Sequence, residues 1–145
     1  MEGTLKLLGL DVGTRTVGVA GTDALGLAVH PVATLARKGL ATDLPALAAI
    51  ATKRGAEMIV VGLPYELDGS EGRSARLARQ VGDGLAELGW SVVYQDERFT
   101  SVEAVAELVA LDVSRARRRE VVDQRAAVLI VERWLDARAG RFRPS

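Results

Sequence analysis

The stretch Leu5-Lys6-Leu7-Leu8-Gly9-Leu10-Asp11-Val12-Gly13-Thr14-Arg15-Thr16-Val17-Gly18-Val19-Ala20 decides the fold. Its first half is an almost unbroken apolar run that stops at a carboxylate, the pattern of a strand buried on both faces. Gly13-Thr14-Arg15 then supplies turn chemistry, and a small, β-branched run resumes from Thr16 to Ala20, so the segment predicts a β-hairpin. An apolar strand does not gain packing from an aspartate at its rim, because an uncompensated buried charge is costly. Asp11 is therefore either the cap of its own turn or a ligand-binding group, with Gly13 leaving space beside it.

Working outward, a third strand is expected from Leu27 to Leu35, and Pro31 within it argues for an edge position or a bulge. From Thr42 the period becomes helical, with Leu44, Leu47, Ala48 and Ala51 on one face and Pro45 tolerated in the first turn. Met58-Ile59-Val60-Val61-Gly62 reads as a buried strand, followed by a loop over residues 63–69. A helix is expected from Ser70 to Leu88 with Gly89 as its C-terminal stop, then a strand from Ser91 to Gln95 ending in Asp96-Glu97-Arg98. Thr100-Ser101-Val102-Glu103 has capping-box spacing and opens a helix towards Leu111; a last helix covers residues 120–137. The order βββ-α-β-α-β-α-α predicts an α/β fold with one mixed five-stranded sheet: an antiparallel hairpin unit continued by right-handed βαβ crossovers.

A length of 145 residues suits one domain, expected over residues 1–139, with 140–145 as a short basic tail. The absence of cysteine removes thiol nucleophiles, thiolate-bound zinc and iron–sulfur clusters, and fits a reducing compartment. The N-terminus lacks the basic start and long apolar stretch of a secretory signal, and no run of about 18 apolar residues suggests a membrane span. A soluble cytoplasmic protein is expected. Net charge is zero, from 19 basic and 19 acidic side chains, so the chain is no general nucleic-acid coat. Its basic groups are nevertheless clustered, at Arg115, Arg117, Arg118 and Arg119 and again at Arg138, Arg141 and Arg143.

Three carboxylates stand where chemistry is feasible. Asp11 ends the first strand. Glu97 follows the alternation of the strand from Ser91 and lies at a carboxyl end, where open α/β sheets place ligands; Asp96, its neighbour, must face the other way. Asp123 opens the last helix and shares a face with Ala127, Ile130 and Trp134, so packing of that face turns it towards the sheet. Singly, each has a plainer reading: a turn cap, an ion pair, a helix-dipole partner. Together they form an oxygen donor set suited to Mg²⁺ or Mn²⁺, and a pair of such ions supports phosphodiester hydrolysis by activated water. His30, the sole histidine, reads as a core or strand residue.

Four blocks now carry a resemblance: Leu10-Asp11-Val12-Gly13-Thr14-Arg15-Thr16-Val17-Gly18-Val19-Ala20; Val61-Gly62-Leu63-Pro64 with Asp68-Gly69-Ser70-Glu71-Gly72; Asp96-Glu97-Arg98-Phe99-Thr100-Ser101; and Asp123-Gln124-Arg125-Ala126-Ala127. In order and spacing they resemble the signature blocks of the YqgF/RuvX family. The resemblance implies an RNase H-like fold related to the RuvC resolvases, and a bacterial nuclease of pre-16S rRNA 5′-end maturation. An older label for the same family is Holliday junction resolvase. By motif, its catalytic and metal-holding acids fall on Asp11, Glu97 and Asp123, with a two-metal site for Mg²⁺ or Mn²⁺. Arg15, Arg98, Arg118, Arg119 and Arg125 are candidates for contacts with nucleic acid, either pre-rRNA or structured DNA. The chain departs from the family at Glu66, where an amide is usual, and its lysine-rich stretch before the last aspartate is arginine-rich here.

The rival readings are a phosphotransferase of the actin/hexokinase kind, which needs a second domain to enclose ATP, and a non-catalytic RNA-binding module built on residues 115–119. A monomer or a homodimer is expected.

Overall fold

The computed structural model describes residues 5–23, 28–65, 68–97 and 115–139, with the side chains of its last helix described from 124 to 138. The strands are β1 (Leu7–Val12), β2 (Thr16–Thr22), β3 (Val29–Ala36), β4 (Met58–Leu63) and β5 (Val92–Asp96); the helices are α1 (Leu40–Lys53), α2 (Arg73–Glu87) and α3 (Arg115–Ala139). They form the mixed five-stranded sheet expected, in the order β3-β2-β1-β4-β5. β1 runs antiparallel to β2 and parallel to β4, and β4 runs parallel to β5.

The hairpin closes as its sequence requires. Asp11 lies opposite Gly18 and Val12 opposite Val17, and the Gly13 N–H donates to the Thr16 carbonyl at 2.8 Å. Gly13 is needed for closeness and not for a left-handed backbone: a Cβ there would come within 3.2 Å of the Thr16 carbonyl oxygen. Pro31 satisfies both readings of its strand. β3 is an edge, and its register slips where Val19 faces Ala33 but Ala20 faces Pro31, which leaves Val32 as the extra residue of a bulge. His30 is a strand residue on this exposed edge and takes no part in the core.

Alternation along each strand divides the core into two faces. Leu8, Leu10 and Val12 of β1, with Ile59, Val61 and Leu63 of β4, pack against Leu47 and Ala51 of α1 and Ala75, Ala78, Val81 and Leu85 of α2. Leu7 and Val60 face Ile130 and Val131 of α3, while Ala20 meets Ala127 and Val128. Each fully buried Leu or Ile on these faces contributes roughly 1.5–3 kcal/mol, so the pattern fixes which way every strand residue points.

Helix starts differ from the sequence reading. α1 begins at Leu40, ahead of Thr42, and α3 begins at Arg115, ahead of Glu120. α2 begins at Arg73 and not at Ser70, because Ser70 is committed to a turn: its N–H and hydroxyl donate to Asp68 Oδ1 at 2.9 and 2.7 Å. Gly89 ends α2 with φ +104°, as its position suggested. The helix expected from Thr100 to Leu111 and the tail 140–145 lie outside the described residues.

Candidate active site

Strand parity places Leu7, Gly9 and Asp11 on one face of β1, Met58, Val60 and Gly62 on the same face of β4, and Val93, Gln95 and Glu97 on that face beside β5. It is the face covered by α3. Asp11 and Glu97 thus stand on one side of the sheet at the carboxyl ends of parallel strands, with β4 between them. Two strand spacings, roughly 10 Å, lie between β1 and β5, and Glu97 stands two residues beyond Gln95, which pairs with Gly62.

Glu97 is only 6% exposed and its Oε2 is buried. Its N–H donates to the Leu63 carbonyl at 3.1 Å, continuing the β5 ladder by one residue. Asp96 is exposed and, by alternation, on the opposite face, so only one acid of the adjacent pair reaches this site. Gly62 is the cradle between the two acids. A Cβ on Gly62 would overlap Ile130 Cδ1 and stand 3.3 Å from Glu97 Cγ. With no side chain there, the space above β4 is left to Glu97 and to Ile130.

α3 meets the sheet on bare backbone. A Cβ on Gly9 would overlap Val131 Cγ2 and lie 3.1 Å from the Ala127 carbonyl oxygen, and Ala126 and Ala127 are buried as their small size suggested. Ile130 is buried; Trp134 is half-buried, with the Arg138 guanidinium 5.4 Å from its ring centroid. Asp123 belongs to α3, one turn ahead of Ala127, and its side chain lies outside the described residues. Its neighbour Gln124 is fixed: Nε2 donates to Thr34 Oγ1 at 3.0 Å. Thr34 pairs with Gly18, and Gly18 with Asp11, so Gln124 docks on the cross-strand row that holds Asp11.

Of the arginines, Arg15 is exposed at the hairpin turn and Arg125 is half-buried on α3. Arg98 and the side chains of Arg118, Arg119 and Glu120 lie outside the described residues. Among the described residues no three His, Cys, Asp or Glu side chains gather as metal ligands; Asp11 and Glu97 are two of the expected three.

Sequence reasoning missed a buried ion pair next to the hairpin. Asp43 is 1% exposed; its Oδ2 accepts from Arg37 Nε at 2.9 Å and from the Gly39 N–H at 3.3 Å, and its Oδ1 accepts from the Lys38 N–H at 3.0 Å. Burial pushes the Asp43 carboxyl up, but the backbone donor at Lys38, the Arg37 hydrogen bond and charge, and the donor at Gly39 together hold it below the ordinary carboxylate value. The signal was available: Asp43, Leu47 and Ala51 are spaced four apart and are the buried residues of α1, the same argument that singles out Asp123. A second cluster steadies the loop before α2. Arg79 grips Glu71 with two bonds of 2.6 Å and stacks on Tyr94 at 4.9 Å, and the Tyr94 hydroxyl donates to Asp83 at 2.6 Å. At the other end of the sheet, Lys6, Thr22, Asp23, Val32, Ile50, Lys53 and Arg54 line a cavity of about 450 Å³, remote from the two acids. Lys53 and Arg54 sit there as cations complementing the C-terminus of α1.

The RuvX family model, described as a Holliday junction resolvase, matches residues 5–137. The chain belongs to the RuvX family. This RuvX chain is 48% identical over 134 residues to a protein of Myxococcus xanthus named "Putative pre-16S rRNA nuclease", covering 92% of this chain and 89% of the relative. A Moorella thermoacetica protein of the same name is 44% identical over 133 residues, covering 91% and 95%. Among solved structures, Thermus thermophilus RuvC in complex with a Holliday junction substrate aligns with a TM-score of 0.57 at 18% identity, covering 97% of this chain and all of that one. At that identity the likeness is one of fold, and the fold is RNase H-like. No helix among the described residues is long and apolar enough to cross a membrane.

Proposed function

We propose that this RuvX protein is a divalent-metal-dependent nuclease that hydrolyses phosphodiester bonds in maturing the 5′ end of pre-16S rRNA, in the cytoplasm. The observation that carries the reading is the placement of Asp11 and Glu97 on one face, at strand ends, on either side of side-chain-free Gly62. The name shared by relatives at 41–48% identity supports the substrate.

The residues fit a hard cation. The expected donors are all carboxylate oxygens, without thiol or imidazole, which is the chemistry hard divalent ions prefer. Asp11 and Glu97 would hold Mg²⁺ or Mn²⁺, with Asp123 of α3 as the third acid. Bound there, a pair of divalent ions supplies Lewis acidity and lowers the pKa of water for attack on the phosphodiester. The protein's own part is positional. β1 and the end of β5 carry the two acids, Gly62 leaves room for Glu97 and Ile130 above β4, and the Gln124–Thr34 bond anchors α3 beside Asp123. Arg15 and Arg125, with Arg98, Arg118 and Arg119, would contact phosphates of the nucleic acid.

The test is cleavage of structured RNA, single-stranded DNA and four-way junctions side by side in Mn²⁺. Wild type should cut the RNA, and both EDTA and Asp11→Asn should abolish cleavage while the circular dichroism spectrum is unchanged. Full activity in either case overturns the reading. The family's description as a Holliday junction resolvase supports a second reading, which requires a symmetric dimer and selective cutting of the junction.

A further inference from the structure

The guanidinium of Arg37 joins three elements. Nε donates to the buried Asp43 carboxylate of α1 at 2.9 Å, and Nη1 donates to the Gly13 carbonyl of the hairpin turn at 2.9 Å. The Arg37 N–H also donates to the Arg15 carbonyl at 2.8 Å, so main chain and side chain both grip the turn. Asp43 is held in its turn by the amides of Lys38 and Gly39. Both guanidinium bonds come from one rigid plane that is 12% exposed, so the position of α1 is transmitted to residue 13 without a freely rotating joint.

Gly13 is two residues from Asp11, and the turn beyond it, Thr14-Arg15, is exposed. A hairpin tip without a tether frays, whereas a metal-holding carboxylate must keep its place to within about 0.5 Å. We propose that Arg37 is a positioning residue for Asp11, with the Asp43–Arg37–Gly13 chain holding the carboxylate-bearing end of β1 for cation binding. The role rests on the nuclease reading and adds to it a group that touches neither metal nor substrate.

Arg37→Lys is the deciding variant. It keeps a cation for Asp43, so the buried charge is not stranded, but an ammonium cannot serve Asp43 and the Gly13 carbonyl in the same fixed fork. Val81→Ala, at a buried position of α2 on the sheet face opposite Asp11, serves as a control for lost stability. Mn²⁺ affinity is read by electron paramagnetic resonance, and hydrogen exchange of the Gly13 amide is read by NMR without metal. Arg37→Lys should raise the Mn²⁺ dissociation constant about tenfold or more and speed Gly13 exchange, while Val81→Ala changes neither. Wild-type Gly13 exchange in Arg37→Lys overturns the proposal. So does an unchanged Mn²⁺ affinity, or an equal loss of affinity in Val81→Ala. If the wild-type protein takes up no Mn²⁺ at all, the nuclease reading falls by itself, and the exchange measurement still decides whether Arg37 holds the turn.

Discussion

The Gln124 side chain donates to Thr34 Oγ1 at 3.0 Å, binding the residue after Asp123 to the edge strand on the row that contains Asp11. Ninety positions separate the two in sequence, and the bond ties α3 to β3 alongside the packing of Val29 on Ala127 and Val128. Thr34→Val keeps the strand's shape and removes the acceptor. Stability should fall by about 0.5–1.5 kcal/mol, measured by urea unfolding, and Mn²⁺-dependent cleavage should fall by more than a matched destabilisation elsewhere. Loss of stability with full activity would show that the bond serves the fold alone.

Gly62 gives the sharper prediction. A methyl group at that position has no room beneath Ile130 Cδ1, so Gly62→Ala should destabilise by about 1–3 kcal/mol and displace Glu97. Ile130→Val removes the clashing Cδ1. The double variant Gly62→Ala/Ile130→Val should therefore lose less than the two single losses added together, by about 0.5 kcal/mol or more in a thermal or urea cycle. Additive losses would mean that the overlap at Gly62 relaxes some other way.

The five strands, the hairpin and the face of α3 were legible because each rests on period: apolar runs for β1 and β4, 3–4 spacing for Ala127 and Ile130. So was the division of labour between Asp96 and Glu97, since alternation allows only one of them on each face. The Arg37–Asp43 pair was not read. Its donors belong to the connection after β3, and whether Asp43 turns inward depends on how α1 is rotated against the sheet. The start of α2 differs for a local reason: the Ser70 N–H and hydroxyl are both committed to Asp68 Oδ1 in a turn, and the helix begins three residues later.

Arg79 supports the loop that carries Asp68 and Glu71. The Glu71 carboxyl is held below its ordinary value, chiefly by its hydrogen bonds from Arg79 and despite some desolvation. Both partners are about one-third exposed, so salt screening limits the pair's worth. Arg79→Lys should lower the melting temperature less than Gly62→Ala does, and the difference from wild type should shrink further in 1 M NaCl. Cleavage by a protease within residues 64–72 should become faster, because the two-bond grip on Glu71 and the stack on Tyr94 are lost together. Unchanged cleavage would place the loop's support elsewhere.

Asp43 makes the protein's stability depend on acid in a defined direction. Its folded value is depressed below the ordinary 3.8, so as pH falls the unfolded chain takes up the proton first and unfolding is favoured. The pair's contribution is complete above the ordinary value and is lost as pH drops below about 4 through the folded value. Asp43→Asn removes the charge opposite Arg37 and should destabilise by about 3 kcal/mol at pH 7, because it strands a guanidinium that is 12% exposed. Below pH 4 the wild-type protein should lose stability more steeply than Asp43→Asn, and the two urea-unfolding curves should converge. Parallel curves from pH 7 to pH 3 would show that the carboxylate is no better stabilised in the folded chain than in the unfolded one.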